Sequence, residues 1–342
     1  MTRHVSIIGD GAMATVCGLT LHSRGIGVTI WSPLADNAEE MIQTRENRRF
    51  LPGYPIPQEV RLTAEVEHAF HDADFIVSAI PSQFIRDTWR RLAPYCPLDV
   101  PIVSVTKGVE RETMLRPSQI IAEALRDAGE NPDKPAPPMA ALSGPTVADE
   151  LAKNLPATAV AASEDDAFAR TVQQAFTTEW FRIYTNRDLL GVELAGATKN
   201  VIAVAAGILD GLKAGNNAKS ALLARGLAEI ARLGVAMGAS QETFFGVAGV
   251  GDLATTCFSP TGRNRTCGEQ LGRGKKLENV LAEIPGVVEG VPTTQAVVAL
   301  ARRFQVDMPI TEALAQVLFE GLDPLEGISQ LMSRETKPER VA

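Results

Sequence analysis

The chain has 342 residues and a formal net charge of −8, from 33 Lys and Arg against 41 Asp and Glu. Its length suggests two domains or one large one, and 45% hydrophobic with 22% charged residues is typical of a folded globular protein rather than a disordered one. The acidic balance argues against a general nucleic-acid-binding protein, because affinity for a phosphate backbone comes from Lys and Arg.

Other features of the composition argue against membrane, secreted and zinc-binding proteins. The longest stretch without a charged residue, residues 135–148, is interrupted by prolines and is shorter than the roughly 20 residues of a membrane-spanning helix. An apolar segment begins at the N-terminus without a basic leader, so we expect no signal peptide. Cys17, Cys96, Cys257 and Cys267 form no Cys-x-x-Cys pair, which argues against a zinc ribbon or a disulfide scaffold and fits a reducing compartment such as the cytoplasm.

The N-terminal residues predict a strand, a glycine turn, a helix and a second strand. Residues 4–8 form the apolar strand segment, residues 9–14 the G-x-G-x-x-A turn, residues 15–24 the helix and residues 28–31 the next strand. This order is the context that the dinucleotide-binding fingerprint requires.

Three small residues of this turn suit the binding of a dinucleotide. Gly9 permits the tight turn, Gly11 lets the backbone approach a pyrophosphate, and Ala14 lets helix and strand pack closely. The helix N-terminus offers unpaired N–H groups to the phosphates. The turn therefore predicts a site for NAD(H) or NADP(H).

The end of the second predicted strand normally shows which dinucleotide is preferred, because an acidic residue there favours NAD and a nearby Arg favours NADP. This chain has Trp31, Ser32 and Pro33 at that point, with neither residue type. Ser32 could contact a 2′-phosphate or a 2′-hydroxyl, so the sequence leaves the cofactor preference open.

Three further strands are predicted at residues 74–82, 101–105 and 140–143. Ligands of open α/β sheets bind beyond the carboxyl ends of the strands. Lys107, which follows the second of these strands, is therefore either a cation facing cofactor or substrate or a solvated surface lysine.

The composition changes near Leu189 from strand-like runs to long helices rich in Ala, Leu and Gly, so we predict domains at 1–188 and 189–342. Residues 193–209 predict a helix that is apolar on nearly every side and therefore buried. Lys199 lies within it, and desolvation lowers the pKa of a lysine, which suits acid–base catalysis. The alternative is a lysine whose ammonium reaches solvent. All four histidines lie in the first 71 residues, so chemistry in the second half would not use histidine.

A glycine-rich segment and a basic turn follow this helix. Asp252 could cap a helix over residues 253–257, and residues 261–265 predict a polar turn with two guanidinium groups. These groups suit bidentate phosphate recognition, or they belong to a solvated loop. From Lys199 to Lys276 there are ten Lys and Arg against five Asp and Glu, 10 − 5 = +5 within a chain of −8. This local excess suits a small anionic substrate.

Together these motifs resemble the NAD(P)-dependent glycerol-3-phosphate dehydrogenase family over almost the whole chain. The similar segments are residues 9–14, 47–53, 77–82, 106–108, 142–146, 193–200, 215–219, 225–227, 251–253, 263–265, 288–290 and 331–334. The resemblance implies an α/β fold with an N-terminal Rossmann-type dinucleotide-binding domain and an all-α C-terminal domain. It also implies a cytoplasmic homodimer that reduces dihydroxyacetone phosphate to sn-glycerol 3-phosphate for glycerophospholipid synthesis.

The resemblance also implies roles for particular residues. Lys199 would donate a proton to the C2 oxygen of the substrate, Asp252 would orient Lys199, and Lys107 would assist. Implied substrate contacts are Lys107, Gly144, Thr146, Lys199, Asn200, Asp252, Gly262, Arg263 and Asn264. Predicted cofactor contacts are Gly9, Gly11, Ala12, Met13, Ser32, Lys107, Ala148, Arg263, Val287 and Glu289.

The chain departs from the family pattern at several positions. Residues 12–14 replace the usual Ser-Trp/Tyr-Gly, Pro33 replaces a basic residue or histidine, Asn216 replaces Asp, and Gly262 replaces Ser. Two alternatives remain open at this point: a related dehydrogenase acting on a β-hydroxyacid, and a dinucleotide-binding redox sensor without catalysis. The Arg-Asn-Arg turn argues against the first, and Lys199 with Asp252 argues against the second.

Overall fold

The computed structural model describes residues 2–97, 99–129, 136–336 and 338–339. The chain divides into two compact units, one formed by the residues up to Thr106 together with Pro117–Leu189, the other by Lys107–Arg116 together with the residues from Leu190 onward. Lys107–Arg116 thus belongs to the second unit, although it lies inside the range 1–188. The division at 188/189 stays a prediction, and Pro135, at the start of the charge-free stretch, lies outside the described residues.

The first unit contains an eight-stranded sheet flanked by helices and a small two-stranded sheet. Its strands are β1 His4–Ile8, β2 Gly27–Trp31, β3 Glu46–Asn47, β4 Leu51–Pro55, β5 Arg61–Thr63, β6 Phe75–Ser78, β7 Ile102–Ser104, β8 Met139–Ser143, β9 Ala157–Ser163 and β10 Phe181–Asn186. Its helices are α1 Ala12–Ser23, α2 Ala35–Thr44, α3 Ile85–Leu92, α4 Pro117–Ala128, α5 Ala148–Ala152 and α6 Asp166–Phe176.

The order of the large sheet is β10-β9-β8-β7-β6-β1-β2-β5, and its neighbours run parallel except β8 and β9. The chain runs from β1 to β2 on one side and later returns to place β6 on the other side of β1. Ligands of such sheets bind in the crevice where the order reverses. The predicted dinucleotide turn follows β1, directly at this point.

The inner strands of the large sheet are buried on both faces, which explains their nearly continuous apolar sequences, whereas the edge strands β5 and β10 are partly exposed. In β1, for example, Val5, Ile7 and Ile8 are each 0% exposed. The strand predicted over residues 74–82 is shorter than expected and ends at Ser78. Pro81 lacks an N–H group for the sheet, and the chain turns into a short 3₁₀ helix at Ser82–Phe84.

The regular secondary structure described in the second unit is helical, and its segment Lys107–Arg116 has no helix or strand. Its helices are α7 Leu189–Gly211, α8 Gly215–Ala236, α9 Gln241–Phe245, α10 Asp252–Phe258, α11 Arg263–Gly272, α12 Leu277–Glu283, α13 Gly290–Phe304, α14 Pro309–Phe319 and α15 Pro324–Met332. By length and composition alone α7 could cross a membrane, but 94% of its apolar window is buried inside the protein. It is therefore the core helix of this unit, and the predicted fold class is confirmed.

Glycines let α7 and α11 approach each other closely. A Cβ atom added at Gly268 would lie 1.9 Å from the carbonyl oxygen of Val204, and one added at Gly207 would lie 2.0 Å from that of Arg265. Backbone atoms cannot yield as a flexible side chain can, so each position requires glycine. This contact fixes the start of α11 relative to the middle of α7.

We expect Gly268→Ala to lower the free energy of unfolding by about 3 kcal/mol, because the added methyl group overpacks a contact between two backbones. Urea denaturation measures the effect. Gly327→Ala in α15 is the matched control, because its added Cβ would lie 3.4 Å from Leu322 Cδ2, an ordinary contact. The control should be neutral or slightly stabilising. Equal stability of both variants would show that α7 and α11 separate easily.

Candidate active site

A carboxylate shared by two lysines lies in the second unit. Lys199 Nζ donates to Asp252 Oδ1 at 2.6 Å, and Lys107 Nζ donates to Asp252 Oδ2 at 2.7 Å. The three side chains come from α7, α10 and the segment Lys107–Arg116. Asp252 is 1% exposed and Lys199 6%, so one buried negative charge faces two ammonium groups. The cluster carries a net positive charge that an anionic ligand could neutralise.

Thr256 is a further contact of Lys199 that the sequence analysis missed. Its Oγ1 lies 2.6 Å from Lys199 Nζ and donates to the Asp252 carbonyl oxygen at 2.7 Å. Because Asp252 and Thr256 are four residues apart on α10, they lie on one helix face. That spacing is the signal that could have identified Thr256. The threonine fixes the direction in which Lys199 points.

Asp252 does not cap a helix, which was one of the roles that the sequence suggested for it. The helix begins at Asp252 itself, Gly251 is the N-cap residue, and no side chain caps it. The carboxylate instead accepts hydrogen bonds from the two lysines, because its position in the first turn aims it away from the helix backbone and toward α7. The acidic charge also lies at the N-terminal end of α10, where the helix dipole favours it.

Lys107 has a strongly perturbed pKa. Burial, together with the neighbouring Lys199 ammonium, lowers the pKa of Lys107 to about 8, although the Asp252 carboxylate opposes the shift. Its side chain is 17% exposed, which rules out the alternative of a fully solvated lysine. A lysine with this pKa changes its charge within the pH range in which most enzymes work.

The position of Lys107 is fixed by contacts between its segment and α7. Asn200 Nδ2 donates to the Lys107 carbonyl oxygen at 2.8 Å, and Arg116 forms a buried ion pair with Glu193. Val109, which is 0% exposed, packs in the core of the helical unit. Both ends and the middle of Lys107–Arg116 are thus attached to this unit.

A chain of amides links Lys107 to the starts of two further helices. Asn200 Oδ1 accepts from Asn264 Nδ2 at 2.9 Å, and Asn264 Oδ1 accepts from Gly290 N at 2.8 Å. Asn264 lies in the first turn of α11 and Gly290 begins α13. Asn200 and Asn264 therefore position the backbone around the lysine cluster.

The predicted polar turn at residues 261–265 is wrong in its second half, because α11 begins at Arg263 with Gly262 as N-cap. Gly262 has no side chain that could cap the helix N-terminus, and no side-chain cap hydrogen bond is formed there. Arg263 is exposed, and its guanidinium lies on the side of Gly286, where an added Cβ would be 2.7 Å from Arg263 Nη1. Val287 and Glu289, both half-buried, follow in the loop before α13.

The residues of the first unit fit a dinucleotide pyrophosphate. Gly9 has φ +124°, and a Cβ added there would lie 2.7 Å from the Ala79 carbonyl oxygen, so only glycine suits this position. A Cβ at Gly11, the N-cap of α1, would meet no atom within 4 Å, so there is open space beside the helix start. Ala12 and Met13 form the first turn, whose N–H groups have no acceptor within the helix.

Three predicted contacts lie at the carboxyl end of β8 in this unit. Gly144 has φ +148°, and an added Cβ would lie 2.9 Å from the Thr158 carbonyl oxygen. Thr146 Oγ1 donates to the Gly144 carbonyl oxygen at 3.1 Å, and Ala148 begins α5. Gly144, Thr146 and Ala148 lie in the first unit, as do Gly9, Gly11, Ala12, Met13 and Ser32. The other predicted contacts lie in the second unit: Lys107, Lys199, Asn200, Asp252, Gly262, Arg263, Asn264, Val287 and Glu289.

Comparison with known sequences decides the family. The profile described as NAD-dependent glycerol-3-phosphate dehydrogenase N-terminus matches residues 4–169, and the corresponding C-terminus profile matches residues 188–329. The chain belongs to the NAD-dependent glycerol-3-phosphate dehydrogenase family. The family predicted from the motifs is therefore confirmed.

Relatives of this glycerol-3-phosphate dehydrogenase family member match over nearly their whole length. A glycerol-3-phosphate dehydrogenase (NAD(P)+) of Geobacter sulfurreducens is 45% identical and covers 99% of this chain and 100% of its own. One of Pelotomaculum thermopropionicum is 44% identical, covering 98% of this chain and 94% of its own. The crystal structure of glycerol-3-phosphate dehydrogenase from Coxiella burnetii has a TM-score of 0.91 at 34% identity and covers 97% of this chain and 99% of that chain.

Among the residues that the structure describes, no group of three or more His, Cys, Asp or Glu side chains is placed to hold a metal ion.

Proposed function

We propose that the chain catalyses reversible hydride transfer from NADH or NADPH to dihydroxyacetone phosphate, giving sn-glycerol 3-phosphate. The observation that carries this proposal is the buried pair of Lys199 and Lys107 on Asp252, within a chain of the glycerol-3-phosphate dehydrogenase family. Such a cluster supplies both a proton and positive charge, which reduction of a ketone in an anionic substrate requires.

Lys199 is the proposed proton donor to the C2 oxygen of the substrate. An ammonium has three N–H donors, and in the described part of the chain Asp252 and Thr256 accept two of them. The third is left for a substrate oxygen. As negative charge develops on that oxygen, Lys199 transfers its proton, and in the reverse direction the neutral amine accepts one.

Asp252 and Lys107 support this transfer. Asp252 fixes the direction of Lys199 and offsets its charge in the buried site. Lys107 adds a second positive charge that stabilises the developing alkoxide and the anionic substrate. Asn200, Gly144 and Thr146 are proposed as further substrate contacts.

The dinucleotide is proposed to bind through the turn after β1. Gly9, Gly11, Ala12 and Met13 would hold its pyrophosphate, with Ser32 on the adenosine side. Other proposed contacts are Lys107, Ala148, Arg263, Val287 and Glu289. When bound, the nicotinamide supplies the hydride that reduces the carbonyl carbon.

Gly262, Arg263 and Asn264 are the proposed phosphate-binding residues at the start of α11. We expect Arg263→Ala to raise the KM for dihydroxyacetone phosphate about 30-fold or more, because a charge-assisted bidentate contact is lost. Steady-state kinetics at saturating dinucleotide measure this change. Arg273→Ala, at the other end of α11, is the matched control and should leave KM unchanged. An unaltered KM in Arg263→Ala would place the phosphate elsewhere.

The lowered pKa of Lys107 predicts a pH dependence of substrate binding. Below its pKa of about 8 the side chain is an ammonium that attracts the substrate phosphate, and above it the charge is lost. We therefore expect the KM for dihydroxyacetone phosphate to rise as pH increases through about 8. In Lys107→Met this rise should disappear, and KM should be high at every pH. Persistence of the same rise in the variant would assign it to another group.

Three broader properties are also proposed. The four cysteines are buried and free, which suits a reducing compartment and supports a cytoplasmic location.

Leu325 and Met332 of α15 are 61% and 81% exposed, and we propose that such apolar side chains contribute to a homodimer, which sedimentation would reveal. The product is a building block for glycerophospholipid synthesis.

Turnover with two substrates tests the proposed function against the related alternative. Purified protein is assayed with dihydroxyacetone phosphate and NADH or NADPH, and separately with a non-phosphorylated β-hydroxyacid and NAD⁺ or NADP⁺, in which case nicotinamide absorbance appears instead of being lost. Loss of nicotinamide absorbance with dihydroxyacetone phosphate alone supports the proposal. Turnover of the hydroxyacid alone would assign the chain to the related dehydrogenases, and turnover of neither would favour a non-catalytic redox sensor.

A further inference from the structure

The dinucleotide turn contains a buried carboxylate that the mechanism does not use. Asp10, between Gly9 and Gly11, is 6% exposed. Its Oδ2 lies 2.6 Å from Ser32 Oγ and 2.8 Å from Asn37 Nδ2, and both partners are also buried. A carboxylate in this position would repel the negative charge of a bound pyrophosphate, so we expect a different role for Asp10.

The backbone holds Asp10 firmly against the end of β2. Gly9 N donates to the Trp31 carbonyl oxygen at 2.9 Å, which joins the turn to the last residue of β2. Asn47 Nδ2 donates to the Asp10 carbonyl oxygen at 2.7 Å and to Thr15 Oγ1 at 2.8 Å. Asn47 is 0% exposed, so this brace is protected from water. The carboxylate therefore has a fixed place beside Ser32.

The end of the second strand is where sheets of this kind recognise the adenosine ribose, usually with an acid on that strand. Here the strand is followed by Ser32, whose hydroxyl already contacts Asp10 and Leu34. Asp10 brings the missing acid to the same place from the neighbouring turn. Within the described residues its Oδ2 has both protein partners, so Oδ1 is the oxygen left to accept a hydroxyl.

We propose that Asp10 is the specificity-determining residue that makes this chain prefer NAD(H) over NADP(H). Its carboxylate accepts a hydrogen bond from the ribose 2′-hydroxyl and repels a 2′-phosphate, which carries about −1.5 to −2 charge. The inference rests on the proposed function for the presence of a dinucleotide and deepens it by naming the form.

Arg91, which lies near the end of β2, is a cation of the kind that favours NADP(H). The Arg91 guanidinium lies over the Trp31 ring, 5.5 Å from its centroid. If Arg91 instead turned to a 2′-phosphate, the chain would prefer NADP(H). The structure places it on the aromatic face, whereas Asp10 contacts Ser32 directly. The two residues therefore predict opposite preferences.

Dinucleotide binding tests the proposal without relying on turnover. Dissociation constants for NADH and NADPH are measured from nicotinamide fluorescence on the full chain, without substrate. We expect the wild type to bind NADH at least about tenfold more tightly than NADPH, the ratio that one interaction of this kind produces. Equal binding of the two, or tighter binding of NADPH, would overturn the proposal, and this result needs no variant.

The variant Asp10→Asn separates specificity from a structural role. It removes the charge while keeping an acceptor for Ser32, so NADPH should bind about tenfold more tightly and NADH should change less than about threefold. Glu179→Gln, an exposed acid beside β10 at the opposite edge of the sheet, is the control and should change neither. Equal weakening of both dinucleotides in Asp10→Asn would show a purely structural residue and contradict the proposal.

Parallel assays with dihydroxyacetone phosphate distinguish this inference from the proposed function. Selective NADH binding without turnover would remove the proposed function and leave the role of Asp10 intact. Turnover of dihydroxyacetone phosphate with equal affinity for NADH and NADPH would support the proposed function and contradict the role of Asp10. If the chain bound neither dinucleotide, both would be wrong.

Discussion

Lys199→Ala is expected to lower kcat for dihydroxyacetone phosphate reduction by about 100-fold or more, the contribution typical of a lost general acid. Lys199 is 6% exposed and bonded to both Asp252 and Thr256, so the substitution removes a proton donor that is held in a fixed direction. The loss should fall mainly on kcat, because the proton is transferred in the transition state. Stopped-flow or steady-state absorbance at the nicotinamide band measures it.

The matched control for this variant is Lys276→Ala, which removes an exposed lysine of the same unit. Its kcat and thermal midpoint should equal those of the wild type. A folded Lys199→Ala protein with near-normal kcat would remove Lys199 from its role. Retained binding of NADH in the variant would show that the dinucleotide domain is intact.

Asp252→Asn is expected to have the second largest effect, because it leaves Lys199 and Lys107 without their shared carboxylate. Loss of one partner from a buried ion pair costs about 3–5 kcal/mol, so the free energy of unfolding should fall by about 3 kcal/mol. The same substitution should reduce kcat by about tenfold or more, because Lys199 is no longer oriented. Denaturant unfolding and steady-state kinetics measure the two effects.

The pH profile distinguishes the electrostatic role of Asp252 from a purely structural one. Asp252 raises the pKa of Lys107, so its loss should lower that pKa below about 8. The rise in KM with pH should therefore begin at lower pH in Asp252→Asn than in the wild type. Glu242→Gln, which removes an exposed acid of the same unit, should leave the profile unchanged. An unshifted profile in Asp252→Asn would contradict the proposed charge coupling.

The elements that the sequence predicted well are those with a strong local pattern. The strand–turn–helix around Gly9 and the buried helix around Lys199 follow from apolar runs and from glycines, which act over a few residues. The burial of Lys199 was likewise predictable, because apolar residues surround it on every side of α7. These features required no knowledge of distant parts of the chain.

Other features depend on contacts between residues far apart in the chain. Lys107 meets Asp252 across 145 positions, and its segment joins the helical unit although the sequence around it resembles the first domain. The start of α11 at Arg263 was missed because Gly262 gives no cap signal. Asp10 was also missed, since its side-chain partners Ser32 and Asn37 lie 22 and 27 positions further along the chain. Local patterns carry no information about such pairings.

Deuterium transfer from the nicotinamide to the substrate tests whether the chain reduces dihydroxyacetone phosphate with the help of Lys199. The chain is incubated with dihydroxyacetone phosphate and NADH or NADPH fully deuterated at C4 of the nicotinamide, and the product is analysed by mass spectrometry and NMR. We expect sn-glycerol 3-phosphate with one deuterium on C2, and very little of it from Lys199→Ala. Absence of glycerol 3-phosphate with either dinucleotide, or a product without deuterium on C2, would contradict it.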